Sequence, residues 1–267
     1  MRLIICVFLL FLIPPKPSFA ALPFVTDDAS IADLGQVSIE SFVENWRLPK
    51  RYDEDSANLV GAYLSGSVGV AKNLELTAGG LLGHNLTTDK LNVANPIFQA
   101  KSMVFRSSDE SKIPSFAASI GYVDRHGRDQ YFDQANNIFA LGIATSRFFE
   151  GDLVIHINSG FKGSYNIDQQ RNFSRLHFGI ASDTAITKKV RFIAESYNGA
   201  PNSPRDSDGY FKSYQVGFRF VKSSSTSFHI LYGSQPTFLG YDENNRMLYR
   251  HSNWVQFGVR KFIDDLF

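Results

Sequence analysis

The sequence predicts an all-β protein: a closed antiparallel transmembrane β-barrel of about twelve strands, preceded by a signal peptide. Three observations carry that prediction. Apolar and polar residues alternate with the two-residue strand period along most of the chain. The connections between these segments are short and long by turns. The 267 residues also combine 14% aromatic content (24 Phe and 11 Tyr) with an ordinary 43% hydrophobic content. That mixture is expected when one row of every strand faces lipid and the other faces a polar interior.

The leader comes first. Met1–Ala20 has an early positive charge at Arg2, an apolar run from Leu3 to Ile13, a Pro-rich stretch, and small residues Ser18 and Ala20 placed for a cut after Ala20. This is a secretory signal peptide. Its apolar run falls short of the roughly 20 residues a permanent membrane helix needs. The single cysteine, Cys6, lies inside it. A disulfide scaffold, a zinc–thiolate site and a thiol nucleophile are therefore excluded beyond residue 20. The near-neutral balance, 27 basic against 26 acidic residues, argues against nucleic acid as a partner. Residues 21–35 read as a periplasmic N-terminal segment or plug, and 36–267 as the barrel.

Strands are predicted over 37–47, 57–71, 73–87, 93–107, 113–125, 136–149, 152–166, 173–186, 190–198, 209–221, 226–235 and 252–262. The alternation is clearest in four places. Leu74, Leu76 and Ala78 oppose Glu75 and Thr77. Ile155 and Ile157 oppose His156 and Asn158. Leu176, Phe178 and Ile180 oppose Arg175, His177 and Gly179. Tyr214, Val216, Phe218 and Phe220 oppose Gln215, Gly217 and Arg219. Tight turns fall at Ala71–Asn73, Ser108–Lys112, Glu150–Asp152, Thr187–Lys189 and Lys222–Ser225. Longer connections fall after residue 47 and at Thr87–Asn92, Arg125–Gln134, Asn166–Asn172, Gly199–Gly209 and Gln235–His251. Short turns at one rim and long loops at the other are the pattern of an outer-membrane barrel. A soluble sandwich also has many antiparallel strands. It does not explain strands of ten or more residues, the loop asymmetry, and a chain ending on Phe267.

Alternation then assigns faces. The lipid side is expected to carry Val68, Val70, Leu74, Leu76, Phe139, Leu141, Ile143, Ile155, Ile157, Leu176, Phe178, Ile180, Val216, Phe218, Phe228, Ile230, Val255, Phe257 and Val259, with Phe, Tyr and Trp girdles at the rims. The lumen is expected to carry Glu40, Glu44, Glu75, Lys101, His156, Lys162, Arg175, His177, Arg191, Glu195, Gln215, Arg219, His229, Gln256 and Arg260, with small residues such as Ser65, Ser67, Ser115, Ser119 and Gly142 between them. A charge facing lipid near the midplane costs about 2–4 kcal/mol, so these charges point inward. Two readings of the charged set stay open: ion pairs that brace a filled interior, or a mildly basic lining of a narrow pore.

No catalytic motif stands out. Outer-membrane lipid hydrolases use a His–Ser pair, and a shared strand face needs His-x-Ser spacing. His251 and Ser252 are adjacent, His156 and Ser159 are three apart, and His84 has no serine nearby. His126 and His251 fall in predicted outer loops. No metal-ligand spacing and no phosphate loop occurs, so neither metal nor cofactor is expected; Asp53–Asp55 reads as solvated loop charge. Gly79–Gly80 reads as a place where the strand bends or relieves crowding.

Two stretches resemble a known family. PFVTDDA at Pro23–Ala29 is similar to the mature start of outer-membrane barrel proteins grouped under the meta pathway of phenol degradation. GSVGVAKNLELTAG at Gly66–Gly79 resembles that family's strand–turn–strand, and Asn95–Val104 the strand after it. The family more often has Tyr-Gly where Val70-Ala71 stands. The resemblance implies an outer-membrane barrel that passes small, often aromatic or hydrophobic, solutes, and it carries no catalytic residues over.

The expectation is therefore a channel or facilitator in a bacterial outer membrane, not an enzyme. Its expected partners are outer-membrane lipids, a small-molecule solute, and the barrel-assembly machinery through Phe267. The alternatives are an outer-membrane lipid hydrolase and a closed structural or surface-recognition barrel.

Overall fold

An exposed strand edge in hydrocarbon leaves N–H and C=O groups without partners, so a membrane-spanning sheet has to close on itself. The computed structural model describes residues 25–48, 58–107, 113–124, 136–166, 171–198, 213–241 and 247–263. Its twelve strands are β1 (Val37–Arg47), β2 (Asn58–Ala71), β3 (Leu74–Asn85), β4 (Lys90–Phe105), β5 (Ser115–Val123), β6 (Asn136–Phe148), β7 (Leu153–Asn166), β8 (Arg171–Ala185), β9 (Val190–Tyr197), β10 (Ser213–Ser223), β11 (Thr226–Tyr241) and β12 (Met247–Ile263). Each pairs with its sequence neighbours, and β1 pairs with β12 to close the barrel. That last ladder is antiparallel and unbroken, from Val37 opposite Ile263 to Arg47 opposite Asn253. Among the described residues no helix is long and apolar enough to cross a membrane; a single 3₁₀ turn, Phe149–Gly151, links β6 to β7.

The exterior is apolar. Leu64, Leu76, Phe98, Ile120, Ile157, Leu176, Phe218, Ile230 and Phe257 all stand exposed on it. At the short-turn rim Phe105, Phe116, Phe148, Phe192 and Phe220 are exposed as well, and Phe192 packs edge-on against Phe218 at 5.7 Å. Much of the phenylalanine excess is therefore a lipid-facing surface with an interfacial girdle.

The short turns fall where expected. Lys72-Asn73 joins β2 to β3, and Ser224-Ser225 joins β10 to β11. At the other rim two expectations change. The β3–β4 connection is only the turn Leu86–Asp89, and the expected long loop Gln235–His251 is mostly strand. β11 and β12 stay paired up to Tyr241 opposite Met247, because the ladder bonds continue past the end of the apolar pattern. Gly79–Gly80 does mark an irregularity: the β3–β4 register shifts between Gly79 and Leu81, near Pro96, which has no N–H to give a ladder.

β6 overturns part of the face assignment. Phe139, Leu141 and Ile143 are buried inside the barrel, while Ile138 is exposed and Gly142 faces out. In the middle of β6 both rows are apolar, Phe139, Leu141 and Ile143 against Ile138, Ala140 and Gly142, so the alternation there has no polar row to set the facing. The neighbouring strand sets it instead: Phe139 sits opposite Lys162, Ile143 opposite Asn158 and Thr145 opposite His156, and directly opposed residues share a face. The two tryptophans also depart from the rim-girdle expectation, since Trp46 and Trp254 point inward and are buried. The leader, the Asp53–Asp55 segment, His126 and Phe267 lie outside the described residues.

The facing of β6 is directly testable, because Cys6 is the chain's single cysteine. A membrane-partitioning maleimide is expected to label Ile138→Cys in bilayers and to leave Phe139→Cys unreacted. The reverse pattern would return β6 to the opposite facing.

Candidate functional site

The strand rows that point inward bring the polar residues together. Glu40 and Glu44 project from β1, Glu75 from β3, Lys101 from β4, and His156 and Lys162 from β7. Arg175 and His177 project from β8, Arg191 and Glu195 from β9, Arg219 from β10, His229 from β11, and Arg260 from β12. Most are buried outright: Glu44, Glu75, Lys101, His156, Lys162, His177, Glu195, Arg219, His229 and Arg260. Gln215 and Gln256 are buried with them.

Cross-strand register decides which of these meet. Glu40 lies opposite Arg260, and Glu75 opposite Lys101 with a carboxylate–ammonium distance of 3.7 Å. Arg191 lies opposite Arg219, a like-charge pair that would repel on its own. Asp183, 1% exposed, bridges both guanidinium groups and offsets their repulsion. Arg191 also donates to the Gly151 carbonyl at 2.9 Å. The imidazoles are held too. His156 Nδ1 lies 3.0 Å from the Thr145 hydroxyl, His229 Nε2 2.9 Å from Gln256, and His177 Nδ1 3.1 Å from the Asn198 carbonyl. Each set has its own partners, so the charged residues form several local groups rather than one site.

The barrel interior also holds a stretch of chain that belongs to no strand. Residues 25–36 run inside the wall, with Thr26, Asp28, Ala29, Ile31 and Ala32 all buried. The wall holds this segment by its backbone. The Glu195 carboxylate accepts from the N–H of Val25 (3.2 Å) and of Thr26, and from Gln215 at 2.6 Å. Thr145 accepts from Ala29 N–H at 2.9 Å, and Glu75 from Ala32 N–H at 2.7 Å. Asp27 is gripped by its side chain: Lys101 Nζ lies 3.1 Å away and Gln99 Nε2 3.3 Å away. With its amide oriented to satisfy both neighbours, Asn158 donates to Asp27 O (2.9 Å) and accepts from Asp27 N (2.6 Å).

Two glycines make room for the segment. A Cβ on Gly179 would collide with the Thr26 hydroxyl, and one on Gly69 with the Asp33 carbonyl. Gly35, at φ 79°, turns the segment into β1 through a backbone conformation glycine adopts without strain. Its N–H then bonds the Gly69 carbonyl at 2.9 Å. The inward facing of β6 serves the segment. Ala29 belongs to one buried cluster with Ile97, Val123, Phe139, Leu141 and Ile143, an apolar patch that seats the apolar part of the segment.

Toward the long-loop end, Trp46 and Trp254 stack with ring centroids 4.4 Å apart and planes 11° apart, with Leu59 beside them. Gly233 lies flat against the Trp254 indole. Inward residues along the barrel, among them Phe139, Ile143, Ile193, Leu231 and Trp254, are at most 1% exposed. A water-filled pore would wet them, so the interior is packed at these positions and is only partly polar. Alternation within single strands does not single out Asp183, Thr145, Gln99 or Asp27. Asp183 is within its reach, because the inward row Arg175–His177–Gly179 arrives at it two steps further on.

One lipid-side pair also escapes the sequence reading. Ser234 Oγ lies 2.9 Å from His251 Nδ1 across β11 and β12. His251 is in a strand rather than in a loop, and the pair joins two strands, which spacing along one strand does not reveal. Among the described residues no group of side chains could hold a metal ion.

The family model described as Uncharacterised conserved protein UCP029691 matches residues 8–242. No curated protein matches the chain. Among solved structures, the COG4313 outer membrane channel from Pseudomonas putida F1 is similar at 8% identity, covering 94% of this chain and 100% of that one with a TM-score of 0.57. The KdgM porin is 10% identical, covering 84% of this chain and 98% of that one with a TM-score of 0.49. The first likeness shows the fold, that of an outer-membrane barrel.

If Glu195 anchors the segment, Glu195→Ala is expected to speed amide exchange at Val25 and Thr26 by about tenfold, the worth of one charge-assisted hydrogen bond. Gly179→Leu, which crowds Thr26, is expected to do the same across 25–32. Strand amides should keep their protection in both variants. Unchanged exchange at 25–32 in both would refute the anchoring.

Proposed function

We propose that this chain, which belongs to the family described as Uncharacterised conserved protein UCP029691, is a bacterial outer-membrane channel for small solutes that its own N-terminal segment holds shut. The observation that carries this reading is the segment itself. Residues 25–32 lie buried or half-buried in the interior. The segment joins the wall ladder only through the short bridge at Leu34 and Gly69, and it is held largely by hydrogen bonds to polar wall groups. Such contacts can be exchanged for water when the segment leaves. The ring itself is closed by strand-to-strand ladders.

The apolar exterior supports placement in the outer membrane with lipid as its surroundings, and Phe267 remains the expected signal to the assembly machinery. The resemblance at Pro23–Ala29 and Gly66–Gly79 adds an aromatic or hydrophobic solute as the finer proposal. The stacked indoles of Trp46 and Trp254 offer such a solute a surface near the long-loop end.

A second reading has one observation in its favour. Ser234 and His251 form a hydroxyl–imidazole pair on the lipid-facing rows of β11 and β12, beside exposed Tyr232 and Val255. A serine next to a base is the starting arrangement of a lipid hydrolase. Ser234 itself is only 2% exposed, so a substrate would have to displace its cover.

Planar-bilayer recording tests the first reading. Deleting residues 25–33 is expected to convert a mostly silent protein into one with frequent, stable openings. A folded deletion variant without conductance would overturn the channel. For the second reading, a fluorophosphonate probe is expected to label the wild type and to spare Ser234→Ala; no labelling of folded wild type in bilayers removes the hydrolase.

A further inference from the structure

The segment inside the barrel is a bound molecule whose chemistry is fully known, so its contacts report what the wall recognises. At Asp27 it presents a carboxylate, which receives the Lys101 ammonium at 3.1 Å and the Gln99 amide at 3.3 Å. One and two residues earlier it presents N–H donors at Thr26 and Val25, which the Glu195 carboxylate accepts. Asn158 reads both backbone polar groups of Asp27 from a third direction.

We propose that the place occupied by Val25–Asp27 is the solute-binding site of the open channel, and that it takes a small organic acid. The acid's carboxylate would sit on Lys101 and Gln99, and its hydroxyl or N–H donors on Glu195. This rests on the channel reading alone and replaces the hydrophobic solute drawn from the resemblance with one that carries a carboxylate.

The reason is what the wall lacks once the segment leaves. Lys101 is 4% exposed; it loses Asp27 and the Asp28 carbonyl and, among the described residues, keeps the more distant Glu75 carboxylate, at 3.7 Å. Glu195, also 4% exposed, loses the Val25 and Thr26 donors and keeps Gln215. A buried charge with its partners removed is strongly unfavourable, so an occupant that restores both sets of contacts is preferred over one that restores neither. A neutral hydrocarbon restores neither, and a simple cation meets Lys101. A molecule with a carboxylate at one end and donors nearby restores both, and a site built on such contacts rejects analogues that lack them. The acid and the segment compete for the same atoms, so binding the acid releases the segment. The solute would thereby favour its own open channel.

The test uses the full chain and reads the segment directly. Malate is expected to accelerate amide exchange at Val25 and Thr26 in the folded protein, and 1,4-butanediol, its uncharged relative, is not. The double variant Lys101→Met/Glu75→Gln, which removes the ion pair as a unit, is expected to abolish the malate response. Gln99→Leu, which leaves both charges in place, is expected to weaken it. Equal responses to malate and butanediol, no response to malate, or a full response in the double variant would each overturn the proposal. Failure of the channel reading looks different: malate accelerates exchange while the deletion of 25–33 conducts no current.

Discussion

The structure depends on the pairing of β1 with β12. Without it the sheet would present two open edges to hydrocarbon, each edge group costing several kcal/mol. The ladder from Val37–Ile263 to Arg47–Asn253 has no register slip, so the facing of β1 and β12 is fixed by each other. From there the facing propagates around the ring strand by strand. This is why Phe139, Leu141 and Ile143 turn inward although lipid would accept them. The middle of their row carries no polar residue, and the polar partners on β7, together with Asn137 and Thr145 at the two ends of the row, go with the inward facing.

A second constraint follows from the first. With the exterior in lipid, every mid-barrel charge points inward, and the interior has to neutralise what it receives. It does so locally. Asp183 serves Arg191 and Arg219, which cross-strand register forces side by side. Glu75 serves Lys101. The segment then completes the set by bringing Asp27 to Lys101 and backbone donors to Glu195 and Glu75. Interior polarity and segment are complementary, so neither is fully satisfied alone.

Much of this arrangement is legible in the amino-acid sequence. The limits of β1, Val37 to Arg47, match the alternation residue for residue. The inward positions of Glu75, His156, Arg175, His177, Arg219 and Arg260 follow from the same period. What is not legible depends on information outside the strand itself. The middle of β6 is apolar on both rows. The indoles of Trp46 and Trp254 look like rim residues by type, yet they stack inside because they are direct register partners on β1 and β12. The β11–β12 hairpin extends through ladder bonds that leave no mark on hydropathy. Ser234 and His251 meet across strands, which no spacing along one strand can predict. The contacts of residues 25–36 are set by the shape of the finished lumen, and only the glycines at 69 and 179 leave a trace of them in the strands.

The balance of forces on that segment separates a gate from a filler. A filler is held by apolar burial, which water does not replace on release. Here the apolar contribution comes from three residues: Ala29 joins the β6 patch, Ile31 adds one large buried side chain and Ala32 a small one. The rest is polar, and a hydrogen bond traded for one to water contributes only about 0.5–1.5 kcal/mol net, more where a carboxylate or ammonium is a partner. Against this, each backbone residue freed regains about 1–2 kcal/mol of conformational freedom. Release therefore sets regained backbone freedom against the lost partners of buried Lys101 and Glu195. A ligand that re-pairs those charges lowers the cost of release and shifts the population toward it. The ring of twelve strands meanwhile stays closed, because none of its ladder bonds involves the segment apart from the short bridge at Leu34 and Gly69. On the proposed channel reading, a closed wall around a releasable occupant is the two-state element that gating requires.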